Sequence, residues 1–128
     1  MNEAAVQQHT RLELARAGAL VFRNNVGACM DLNGRMIRYG LGNDSKQLNE
    51  KIKSSDLIAV VPTVITQDMV GQTIGVFAAI ECKESGWHLT AGNLRGIAQQ
   101  KFIDLVKGVG GFGGFVTDPA QVHGIIKR

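Results

Sequence analysis

The stretch Thr73-Ile-Gly-Val-Phe-Ala-Ala-Ile-Glu-Cys-Lys83 decides the fold. It reads as one β-strand, with an apolar body that ends in Glu81-Cys82-Lys83. Upstream, Asp56-Leu-Ile-Ala-Val-Val-Pro-Thr-Val-Ile65 carries a second strand signal, interrupted at Pro62. Between the two, Gln67–Gln72 holds a turn around Gly71. Adjacent strands joined by a short turn predict an antiparallel hairpin.

Working outward, residues 3–17 read as a helix capped by Asn2 and stopped by Gly18. Leu20–Arg23 reads as a short strand. Residues 24–54 are rich in Asn, Gly, Lys and Ser, and read as a long loop with one strand near Arg35–Tyr39; the order of residues 42–54 is left open. Downstream, Thr90 can cap a helix from Ala91 to about Lys107, where Leu94, Ala98, Phe102 and Leu105 keep the helical period. Gly110–Val116 reads as a glycine-rich strand, and Thr117-Asp118-Pro119 opens a last helix. The order α, β, loop, hairpin, α, β, α predicts an α/β arrangement, a mixed β-sheet flanked by helices.

The 128 residues fit a single domain spanning 1–128. A 45% apolar and 20% charged composition excludes a disordered or fibrous chain. Cys29 and Cys82 form no CxxC pair and no zinc spacing with His9, His88 and His123, so two reduced thiols are expected. Met1–Thr10 is too polar for a secretory leader, and the apolar run Leu57–Val61 is far too short to span a bilayer. A cytoplasmic protein with no membrane association is therefore expected. A net charge of +3 is compatible with nucleic acid, and Arg23, Arg35, Arg38, Lys46, Lys51 and Lys53 concentrate in the loop region.

Side chains alternate along a strand, so Glu81 and Lys83 should share one face, with Ile80 and Cys82 turned toward the core. The expected hairpin would bring Asp56 beside Glu81. Two carboxylates so placed would bind Mg²⁺ or Mn²⁺ and would repel each other without a cation. The Cys82 carbonyl is a further candidate ligand. Lys83 could orient the attacking water or stabilise charge growing on a phosphate, and Glu81 could help to take the water's proton.

The pattern Asp56…Glu81-x-Lys83 resembles the PD-(D/E)xK nucleases, with Ser55 in place of the usual proline and a longer gap before the glutamate. More closely, the chain is similar to the virus-type replication-repair nuclease domain in its stand-alone phage form. Further segments carry that likeness: Glu3-x-x-x-Gln7, Arg23-Asn24-Asn25-x-Gly27, Arg38-Tyr39-Gly40-Leu41, Gln99-x-x-Phe102, and Gly110-Gly111. The resemblance implies a restriction-endonuclease-like core and a metal-dependent endonuclease using Mg²⁺ or Mn²⁺. It implies a homodimer that cuts branched DNA such as four-way junctions, in the host cytoplasm if the chain is viral. It adds Glu3 as a metal ligand and Gln99 as an orienting residue, with Gln100 as rival. It also gives Arg23, Asn24, Arg38 and, more weakly, Lys101 as DNA contacts. Open alternatives are a nuclease of the same fold acting on DNA ends, flaps or duplex, and a catalytically silent nucleic-acid-binding module. Trp87 is expected to be partly buried packing, with stacking on a base as the alternative. The three histidines match no motif.

Overall fold

The computed structural model describes residues 1–126, which group into two compact units, one of Met1–Ala59 and one from Val60 onward. The architecture is mixed α/β with small sheets.

In the first unit, α1 (Glu3–Arg16) is capped as its sequence requires, Asn2 Oδ1 accepting from the Ala5 amide at 2.9 Å. Gly18, at φ +87°, ends it in the left-handed conformation that glycine adopts without strain. β1 (Leu20–Arg23) pairs with β4 (Leu57–Val60). The presumed loop holds more structure than expected. β2 (Gly27–Met30) and β3 (Met36–Tyr39) form an antiparallel hairpin with Gly27 opposite Tyr39 and Met30 opposite Met36. Its turn is locked by Asp31 Oδ1, which accepts from the Asn33 and Arg35 amides at 2.9 and 2.8 Å. A short helix α2 (Lys46–Lys51) follows, capped by Ser45.

In the second unit, β5 (Ala78–Cys82), α3 (Leu94–Gly108) and β6 (Phe112–Val116) form a βαβ unit, the two strands parallel and in register from Ala78–Phe112 to Cys82–Val116. α3 starts at Leu94, capped by Asn93 through the Gly96 amide, and not at Ala91 behind Thr90. Glycines set how closely the helices approach the pair. A Cβ at Gly113 would stand 2.8 Å from the Ile103 side chain on α3. On the other face, one at Gly114 would stand 2.8 Å from Ile125 of α4 (Val122–Ile125). The core of this unit holds Ala79, Ile103, Val106 and Val116. The Asp118-Pro119 start signal gives a capped 3-10 turn leading into α4. No helix among the described residues is long and apolar enough to cross a membrane.

Two expectations are corrected. The 56–83 hairpin does not form: β4 takes β1 as its partner and β5 takes β6. Pro62 has no amide to donate, and residues 61–66 and 70–77 carry no strand or helix, so the apolar run from Val61 to Phe77 builds no ladder of its own. The face of β5 assigned to the core is also revised. Ala79 is buried and Cys82 exposed, so the Ala79–Glu81–Lys83 face lies under α3. The charged pair sits on a covered face, with Ile80 half-buried on the other.

Candidate active site

Glu81 and Lys83 leave the end of β5 on the same side, as alternation requires, and three neighbours define their surroundings. Gln99, one turn beyond Arg95 on α3, donates from Nε2 to Glu81 Oε1 at 2.8 Å. Gln100 turns instead to Asp104 at 2.9 Å on the helix surface, so geometry separates the two glutamines. Phe115 stands opposite Glu81 in the β6 register, and its ring lies 4.7 Å from that of Trp87, tilted by 41°. Trp87 is brought back over the strand end by a turn in which its amide donates to the Glu84 carbonyl at 3.1 Å and Gly86 takes φ +83°. The Lys83 ammonium lies 5.2 Å from the centre of the Trp87 ring.

Each of these groups is incompletely satisfied. Lys83 Nζ and Glu81 Oε1 are 3.9 Å apart, beyond hydrogen-bond reach, although the lysine side chain is only 17% exposed. Gln99 Oε1 is buried and has no hydrogen-bond partner among the described residues. Unpaired buried polar atoms are uncommon in folded proteins. Beside the cluster a groove of about 450 Å³ runs between β5 and α3, with Phe77, Ala98, Phe102 and Ile103 as apolar walls and Glu81, Arg95 and Gln99 as polar ones. Arg95 and Phe115 were missed from the sequence. Arg95, Gln99 and Phe102 share a helix face at i, i+4 and i+7, a signal that was available. The placement of Phe115 needs the strand register.

In the first unit, Glu3, Gln7 and Arg23 line one groove of about 450 Å³ together with Arg11. Asn24 and Arg38 are differently engaged. Asn24 Nδ2 donates to Ser54 Oγ and to the Ser55 carbonyl, both at 2.8 Å, and its Oδ1 accepts from the Leu41 amide at 3.1 Å. Arg38 donates to the Asn43 carbonyl at 3.1 Å and to Asn43 Oδ1 at 2.7 Å. Asn43, only 2% exposed, donates in turn to the carbonyls of Gly27 and Tyr39 at 2.7 and 2.9 Å. Asp56 is exposed, its carbonyl accepting from the Asn24 amide at 2.8 Å. Cys82, Lys101, His9, His88 and His123 are exposed.

Among the described residues no group of three His, Cys, Asp or Glu is close enough to cage a metal ion. In comparisons with known proteins, no family model, curated protein or solved structure matches the chain.

Proposed function

We propose that this chain is a metal-dependent deoxyribonuclease, with Glu81, Lys83 and Gln99 at the centre of its active site. The observation that carries this reading is the Glu81–Lys83 pair, its lysine largely covered and its glutamate half-covered, held 3.9 Å apart while Gln99 grips the carboxylate. A carboxylate and an ammonium that face one way, each with capacity to spare, suit a phosphodiester and its attacking water. A structural ion pair would close.

Mg²⁺ binds through one or two carboxylates, with water and substrate phosphate oxygens completing its shell. Glu81, half-covered and already oriented by Gln99, offers one such carboxylate. The Cys82 carbonyl is proposed as a further oxygen ligand; Asp56 and Glu3, in the first unit, stand as candidate ligands from the sequence motif and the resemblance alone. When bound, Mg²⁺ or Mn²⁺ would supply Lewis-acid charge and a more acidic water. Glu81 would accept the water's proton, Lys83 would offset charge growing on the phosphoryl oxygens, and Gln99 would keep the carboxylate aimed. The β5–α3–β6 unit supports the finer reading of a restriction-endonuclease-like core.

The proposed substrate is branched DNA, such as a four-way junction, cut by a homodimer, since a two-fold protein suits a two-fold substrate. Arg23 and Lys101 are the proposed phosphate contacts, since Arg38 is engaged with Asn43. Asn24, also expected there, spends its amide inside the fold. Incubation with a four-way junction and with linear duplex, in Mg²⁺, Mn²⁺ or EDTA, tests the proposal. Metal-dependent junction cutting, lost in Glu81→Ala and Lys83→Ala, is the expected result; equal cutting by both variants would remove the site. Light scattering with and without junction tests the dimer.

A further inference from the structure

A glutamate and a lysine two residues apart on one strand face can close to a charge-assisted hydrogen bond of about 2.8 Å. Closed in this way, each would neutralise the other. Here both ends are occupied by uncharged partners. Gln99 Nε2 takes the Glu81 carboxylate at 2.8 Å, and the Trp87 ring takes the Lys83 ammonium at 5.2 Å, within the range of a cation–π attraction. Phe115 supports the indole from the strand side, and the Glu84–Trp87 turn brings it back over β5. Among the described residues Lys83 Nζ makes no hydrogen bond, so its three donors are unspent in a largely covered position.

We infer that Trp87 is a positioning residue: its ring face draws the Lys83 ammonium off Glu81 and holds it ready for a phosphate oxygen of the substrate. The inference rests on the nuclease reading for its effect on rate, and on geometry alone for the Trp87–Lys83 contact. A phosphodiester offers the ammonium full anionic oxygens in place of a ring quadrupole, so substrate should draw Lys83 from the indole.

The chain has a single tryptophan, so indole emission, excited selectively over the one tyrosine, reports on the surroundings of Trp87. In the full-length protein, Lys83→Met should change the intensity or wavelength of that emission without changing the far-ultraviolet dichroism. Titration of wild type with a four-way junction in Ca²⁺ should change it saturably, and the Lys83→Met variant should not respond. Trp87→Leu keeps apolar bulk and removes the ring face, whereas Trp87→Phe keeps a ring. In Mg²⁺ or Mn²⁺, single-turnover cleavage should fall at least tenfold in Trp87→Leu at unchanged junction affinity, and stay within about threefold of wild type in Trp87→Phe. Wild-type cleavage by a folded Trp87→Leu would overturn the inference, as would emission indifferent to Lys83→Met. If wild type cuts nothing in any metal, the nuclease reading fails, and the emission of Lys83→Met then decides the contact by itself.

Discussion

The two units each hold a buried or half-buried polar network, and they differ in how completely it is satisfied. Around Asn43 every hydrogen-bonding atom of the amide is used: two backbone carbonyls accept from its nitrogen, and Arg38 donates to its oxygen. Asn24 is used in the same way, tying the Leu41 amide to Ser54 and Ser55. Around Glu81 the network stays open among the described residues, with a glutamine oxygen unpaired, an ammonium without a hydrogen bond, and opposite charges at 3.9 Å. A closed polar network fixes a fold; an open one keeps free energy available for a ligand. Arg38 and Asn24 looked like DNA contacts in the sequence, and the structure gives both a part in holding the Gly27–Tyr39 hairpin and its flanks.

Substitutions can break that contrast in order of size. Asn43→Ala should cost most, about 3 kcal/mol, because it strands two carbonyls and takes one of the two acceptors of the Arg38 guanidinium; a lowered denaturant midpoint at unchanged slope would show it. Gln99→Leu should do the reverse. It removes one made and one missing hydrogen bond, so stability should move by less than about 1 kcal/mol. Metal-dependent cleavage should meanwhile fall by about a hundredfold, on the scale of losing a preorganised polar group. Asn24→Ala should cost about 1–2 kcal/mol, being part-exposed, and thermal melting would register it. The smallest effect belongs to Asp68. Its carboxyl is held below the usual carboxylate range by the Thr66 hydroxyl, which donates to it at 2.8 Å. A folded-state pKa below the unfolded one gives stability that is present above the unfolded pKa and lost as pH falls through the folded one. Thr66→Val should therefore remove a slight acid-side slope in the melting temperature below about pH 4 and leave neutral pH untouched.

The ends of helices were legible from single residues. Asn2, Gly18 and Asp118 act where simple capping rules put them, and the parallel β5–α3–β6 unit follows from a strand, helix, strand order. The Glu81–Lys83 face and the choice of position 99 came from alternation and motif. The failures have local causes. Asn33-Gly34 lies at a hairpin turn, with Gly34 at φ +79°, and is a recognisable turn signal that was read as loop. Thr90 and Asn93 are both capping types, and it is Asn93 that accepts from the Gly96 amide, with Leu89 close against Gly96. The side of β5 that is covered depends on Gly113 admitting Ile103, which is a property of the partner strand. Asn43 carries no motif; its role exists only once Gly27, Tyr39 and Arg38 surround it.

The central claim is that the open network around Glu81 exists for chemistry. Glu81→Gln keeps the side chain's shape and an oxygen for Gln99 to hold while removing the charge. Its single-turnover cleavage of a four-way junction in Mg²⁺ or Mn²⁺, measured beside wild type, tests the claim most directly. The account predicts a loss of at least about a hundredfold with the unfolding midpoint unchanged or raised. Cleavage at the wild-type rate by the folded variant would contradict it.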